Sequence, residues 1–270
     1  MKIILIFLSV FILGCSHKSK SSDNNNDKFK TAKEKGDFYL KNLSDNIYVR
    51  CDKLAFLPYV SFFEAQDLSG FEDNGKWGRD YKDKKPCYPD ESRGSISFDG
   101  LISVLHHIWS TKDKAMLDRL ISYGEKNHWI VGEGEYSNQI LIKPIAMHMK
   151  HKLENALFVY GVVDDSILSG FRGHLLASYI WLMSRMDGEI NEVKNLALKE
   201  LLKASATDPM YLSLYDKHNS GNQDRALDIL TNDNIFKMEK METTGLFGWG
   251  SSPDMIYYLI SLAIIEPSDK

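Results

Sequence analysis

The chain has 270 residues, is 43% hydrophobic and 26% charged, and carries a formal net charge of -4. Those values exclude wholesale disorder, a collagen-like or coiled-coil rod, and nucleic-acid binding through an excess of positive charge. The length suits one large domain or two small ones.

The chain begins Met1-Lys2 and runs apolar from Ile3 to Leu13, broken only by Ser9, with Gly14 before Cys15. A short basic start, an apolar stretch too short to span a bilayer and a small residue at the end are the parts of an export signal. Ile12-Leu13-Gly14-Cys15 resembles the lipobox of bacterial lipoproteins. The resemblance implies that Cys15 is acylated (palmitate), that residues 1–14 are removed, and that Cys15 becomes the mature N-terminus. Acyl chains of this kind suffice for stable membrane anchoring. Ser16 after the cysteine resembles the outer-membrane pattern, so the expected address is the bacterial cell envelope, at the outer membrane. Residues 16–27 are polar with nothing apolar to bury, which predicts a flexible tether over 15–27 and a folded part over 28–270.

With Cys15 lipidated, Cys51 and Cys87 remain. An oxidising compartment outside the inner membrane predicts that they pair as a disulfide, the alternative being two buried free thiols. Closing that loop would contribute about 3–4 kcal/mol on the chain-entropy model.

The rest reads as helix. The pattern predicts an amphipathic helix over 28–48 and another over 52–66. Residues 67–95 hold Gly70, Gly75, Gly78, Pro86, Pro89 and Gly94 and predict a long loop, pinned by Cys87. Spacings of three and four predict a helix over 97–110 with Ser97 as N-cap, and another over 112–126. Two glycines and the alternation near Gln139 to Ile142 predict a short β-hairpin at 129–142. Further helices are expected from Pro144 to about Phe158, over 165–186, 190–206 and 210–216, and over 224–230 and 235–241. The last, 253–265, starts at Ser252-Pro253-Asp254 and is apolar nearly all round, so it should be buried. The fold class is all-α, helical hairpins packed as a single domain.

Three stretches carry polar chemistry. Arg79-Asp80-Tyr81 and Ser92-Arg93-Gly94 lead into the 97–110 helix. There Asp99, Ser103 and His106 fall at i, i+4 and i+7, a polar stripe opposite Leu101, Leu105 and Ile108 and suited to proton transfer. The plain alternative is that Asp99 complements the helix N-terminus and His106 is a satisfied core or surface residue. His128, Trp129, Glu133 and Glu135 surround Gly132 and Gly134, where paired carboxylates meet a backbone that a ligand can approach. The alternative there is a solvated turn. Gly248-Trp249-Gly250 precedes Ser251, Ser252 and Asp254 at the start of the last helix, where an indole can stack on a sugar ring beside free N–H groups. The alternative is a tryptophan that plugs the core.

His148 with His151, and His106 beside His107, lack a third ligand at diagnostic spacing, so no metal is expected. GxSxG, P-loop and GxGxxG are absent from the sequence, so no cofactor is expected either.

The segments 92–100, 129–135 and 248–250 together resemble the helical-toroid (α/α) barrels of glycoside hydrolases and polysaccharide lyases. The resemblance implies a small or incomplete toroid that binds or processes a glycan or peptidoglycan. Asp99 or Glu133 would serve as acid, with Glu135 or Asp80 as partner. Arg79, Arg93, His106, Trp129, Trp249 and Asp254 would bind substrate. The competing function is a non-enzymatic lipoprotein, a scaffold, inhibitor or assembly factor that works through a protein partner.

Overall fold

The computed structural model describes residues 20–43, 54, 68, 70–78, 95–133, 140–154, 173–220, 222–232 and 252–266. Within them lie nine α-helices and one two-stranded ribbon. The helices are α1 (Lys20–Leu43), α2 (Phe98–Thr111), α3 (Lys114–Lys126), α4 (Ile142–Glu154), α5 (Gly173–Asp187), α6 (Glu192–Ala204), α7 (Pro209–Asn219), α8 (Asp224–Thr231) and α9 (Ser252–Ile265). The strands are β1 (Glu72–Asp73) and β2 (Lys76–Trp77). The protein is all-α, as the periodicity predicts. No described helix is long and apolar enough to cross a membrane.

Burial divides the helices into two kinds. In α2 every residue from Gly100 to Ile108 is buried, in α7 every residue from Pro209 to Leu214, and in α9 every residue from Tyr258 to Ile264. The α5 helix buries Leu176, Ala177, Tyr179 to Ser184 and Met186. Helices apolar on all sides need neighbours on all sides. By contrast α3 buries one stripe, Met116, Leu117, Leu120 and Gly124, and α8 buries Ala226, Leu227 and Leu230. Each fully buried Leu or Ile of α2 contributes about 1.5–3 kcal/mol relative to exposure.

The all-round buried helices form a row, α2–α5–α7–α9, each packed on the next. They run in the same sense. His106 midway along α2 meets Ser178 in the second turn of α5, and Ser110 near the end of α2 meets Arg185 near the end of α5. His174 at the start of α5 reaches Asp208 at the start of α7. Lys217 near the end of α7 donates to the Ile264 carbonyl near the end of α9, at 2.8 Å. Parallel neighbours require return helices, and α6 and α8 supply them. Asn195 near the start of α6 bonds Asn219 at the end of α7, and Arg225 near the start of α8 grips Asp216 near the end of α7. The α3 and α4 helices are likewise antiparallel, tied by Lys143–Glu125 and Lys150–Asp118.

Three expectations change. The first helix starts at Lys20, inside the stretch expected to be tether. Lys28 pairs with Asp228, and Lys35 donates to the Thr231 carbonyl at 3.0 Å. Once α1 is docked on α8 and α9, extending it toward Lys20 adds hydrogen bonds without a new nucleation cost. Second, the ribbon lies at 72–77, within the expected loop. Asn74 and Gly75 are a two-residue turn with φ of 50° and 90°, the geometry that closes tight hairpins. Of the 129–142 stretch, residues 134–139 lie outside the described residues; 129–133 turn after α3 and lay the Val131 carbonyl on the Trp77 amide at 2.7 Å, and α4 starts at Ile142. Third, Ser97 has the extended backbone of an N-cap but its side chain makes no capping bond. Of the expected 165–186 helix, α5 covers the part from Gly173, and residues 165–172 lie outside the described residues. Of the expected 52–66 helix only Leu54 is described, and the expected 235–241 helix lies outside the described residues.

Candidate functional site

The N-terminal ends of the parallel row carry the polar chemistry. Asp99 lies in the first turn of α2, exposed. His174 is the second residue of α5. Asp208 is the N-cap of α7 and is followed by Pro209 at the first helical position. Tyr257 lies in the second turn of α9. Because the four helices run together, their leading turns gather at one end of the row.

His174 and Asp208 are bonded there. Asp208 Oδ2 lies 2.5 Å from His174 Nε2. Its other oxygen, Oδ1, accepts from the amides of Met210 at 2.9 Å and Tyr211 at 3.3 Å. The cap therefore does two things: it satisfies N–H groups that a helix start leaves open, and it fixes the carboxylate that receives the imidazole. The His174 ring stacks on Tyr257, with centroids 3.3 Å apart and planes 11° from parallel. Tyr211 lies on the other helix, 5.0 Å from the imidazole and tilted by 35°. Burial first, and the Asp208 charge second, push the Tyr211 phenol well above its usual range, so it stays a hydroxyl. The His174 side chain is one-quarter exposed and that of Asp208 about a tenth. An imidazole oriented by a carboxylate, with one edge open, can move a proton.

A second polar group lies deeper, between α2 and α5. His106 is fully buried. Its Nε2 faces the Ser178 carbonyl at 3.1 Å, and its Nδ1 faces Arg185 Nη1 at 3.1 Å. Arg185 Nη2 donates to Ser110 Oγ at 2.7 Å. Trp181 covers the imidazole at 4.2 Å. Burial, and then the Arg185 charge, hold the imidazole well below its usual range. Burial alone pushes the guanidinium down to about 10, so Arg185 remains charged at neutral pH. The group joins two helices without an exposed atom on the imidazole.

The residues expected from the sequence divide accordingly. The proposed stripe of Asp99, Ser103 and His106 is not one polar face, because Ser103 and His106 are buried in a helix packed all round and only Asp99 is exposed. His106 is thus no substrate ligand. Trp129 is 2% exposed and lies against Gly124, so its indole fills the core and offers no face to a sugar. Glu133 is exposed and paired with Lys76 of β2 at 2.6 Å. His148 bonds Asp187 at 2.9 Å, and the described residues hold no cluster of metal ligands. Asp254 lies in the first turn of α9, and its side chain lies outside what is described. Arg79, Asp80, Arg93, Glu135, Trp249 and the three cysteines Cys15, Cys51 and Cys87 lie outside the described residues.

His174, Asp208, Tyr211 and Tyr257 are absent from the sequence-based candidates. One signal was present: Asp208-Pro209 is a cap followed by a proline at the first helical position. His174 carries no such signal, because the apolar period over 165–186 absorbs it into a longer helix. Compared with family models, curated proteins and solved structures, the chain gives no match.

Proposed function

We propose that the chain is a lipid-anchored protein of the bacterial envelope whose helical domain binds or processes a glycan where α5, α7 and α9 begin. The observation that carries this reading is the meeting of His174, Asp208, Tyr211 and Tyr257 in the leading turns of α5, α7 and α9. Carboxylate, imidazole and tyrosine are the groups that hydrogen-bond and stack on a hydroxyl-rich ring. In sequence, Arg93 stands just ahead of α2, and Gly248-Trp249-Gly250 just ahead of α9. The lipobox-like Ile12-Leu13-Gly14-Cys15 supports the address, and an envelope anchor leaves the domain beside cell-wall and surface polysaccharides.

The experiment is a titration of the purified protein with peptidoglycan fragments and with acidic and neutral oligosaccharides, followed by calorimetry and by mass analysis of products. Binding or cleavage of at least one sugar class is expected. Silence toward all of them at millimolar concentration would sink the glycan reading. Mass spectrometry of the membrane-extracted protein is expected to find an acylated Cys15, and an unmodified mature N-terminus would remove the anchor.

A further inference from the structure

We infer that His174 is the proton-accepting base of this site, with Nδ1 as the accepting atom and Asp208 as its positioning residue. The inference rests on the glycan reading for the substrate class, but the chemistry of the pair stands on geometry alone. A carboxylate can only accept, so the 2.5 Å contact from Asp208 Oδ2 assigns the imidazole proton to Nε2. The lone pair is then on Nδ1, on the opposite side of the ring. No described residue hydrogen-bonds Nδ1, and the side chain is one-quarter exposed. The carboxylate cannot swing away, because two α7 amides hold Oδ1. The ring cannot turn freely, because it lies flat against Tyr257. Orientation at one edge and on one face is what a base needs.

The proton comes from an O–H group, either a ligand hydroxyl or the water that attacks the ligand. Its O–H bond breaks, the electron pair stays on oxygen, and an N–H bond forms at Nδ1. The imidazolium so formed keeps its Nε2–H on the Asp208 carboxylate and its face on the Tyr257 ring. The proton later returns to solvent or to the leaving oxygen.

Nitrogen NMR on the labelled full chain tests the tautomer. His174 is expected to show protonated Nε2 and unprotonated Nδ1, and Asp208→Asn is expected to disturb that preference while still capping α7. Protonation at Nδ1 instead would overturn the assignment. Diethyl pyrocarbonate with peptide mapping tests reactivity, and His174 is expected to be acylated much faster than buried His106. Equal rates would count against the base. On any oligosaccharide that the wild type cleaves, His174→Gln should lower kcat about a hundredfold or more with KM little changed. An unchanged kcat would also overturn the proposal. If no sugar is cleaved, the glycan reading fails by itself, and the tautomer and acylation results still decide the role of His174.

Discussion

His106 Nδ1 sits 3.1 Å from Arg185 Nη1 with no solvent reaching the imidazole. The arrangement is satisfied only while the histidine is neutral. Its Nε2–H donates to the Ser178 carbonyl and its Nδ1 lone pair accepts from the guanidinium. A second proton would set two cations against each other inside the α2–α5 joint. The group is therefore a structural lock whose strength depends on pH.

The direction follows from linkage. In the unfolded chain the imidazole titrates near its ordinary value of about 6.5. In the fold, burial and Arg185 hold it well lower. Between those values the unfolded chain binds a proton that the fold refuses, so stability is full above about pH 6.5 and falls as the medium is acidified. His106 alone supplies up to about 1.4 kcal/mol per pH unit of that fall. His218 is lowered by burial and by Lys217, and it adds to the same trend. Urea melts from pH 7 to 5 should show a smaller slope in His106→Gln, whose amide can still meet both partners. An equal slope would mean that His106 is not the titrating group.

The ribbon should tolerate no side chain at its turn. Gly75 has φ of 90°, and a Cβ there would lie 2.2 Å from the Arg119 carbonyl oxygen. Its amide also donates to Glu72 Oε1 at 3.1 Å, and Glu72 receives Arg119 Nε at 2.6 Å and Nη2 at 2.7 Å. Gly75→Ala should cost about 2–4 kcal/mol, from backbone strain and from displacing the ribbon off α3. Thermal melts measure the loss, and hydrogen exchange should localise it to 71–78 and the middle of α3.

Gly124 should be nearly as strict for a different reason. Its φ is ordinary, but a Cβ would lie 3.0 Å from the Trp129 indole. Trp129 is thrown back onto α3 by a turn in which His128 and Trp129 take φ of 53° and 61°. The Trp129 amide bonds the Gly124 carbonyl at 2.6 Å, which fixes the indole in place. Gly124→Ala should destabilise by about 1–3 kcal/mol through overpacking. Its tryptophan emission should shift to the red as the indole is displaced, and an unchanged melt and spectrum would contradict the packing.

Tyr258 fastens the first helix. Its hydroxyl is buried, with the Ala32 carbonyl at 2.9 Å and the Leu230 carbonyl at 3.1 Å. Tyr258→Phe removes the single O–H proton that the two carbonyls share and should cost about 1–3 kcal/mol. The expected signature is local, faster amide exchange in α1 with α2 and α5 little changed. Uniform loss of protection across the molecule would mean that α1 is not a separately fastened element.

Helix positions were legible where the apolar period was long and a start signal stood beside it. Ser252-Pro253 marks α9 to within a residue, and the spacing of Met116, Leu117 and Leu120 marks α3. The turn pair Asn74-Gly75 was equally readable, but it fell in a stretch whose glycines and prolines suggested a long loop. Tether and helix were confused at Lys20 to Asp27 because composition reports what a segment can bury by itself. It does not report what an adjoining docked helix will extend.

The polar site was harder to read. An i, i+4, i+7 spacing puts Asp99, Ser103 and His106 on one side of α2, but spacing cannot say whether that side meets water or another helix. In α2 both sides meet protein, so a histidine that reads as a site residue is a core lock. His174 and Asp208 are thirty-four positions apart, and no local pattern links them.

The amino-acid order by itself determined that this chain is helical, where most of its helices start, and that a lipidation-like motif precedes them. Those properties depend on neighbours within a turn or two, where the 3.6-residue period and the caps act. Which histidine is buried and which is poised beside a carboxylate was decided only when parallel helices packed. Burial and pairing depend on groups that the chain brings together from far apart, and no local rule encodes them.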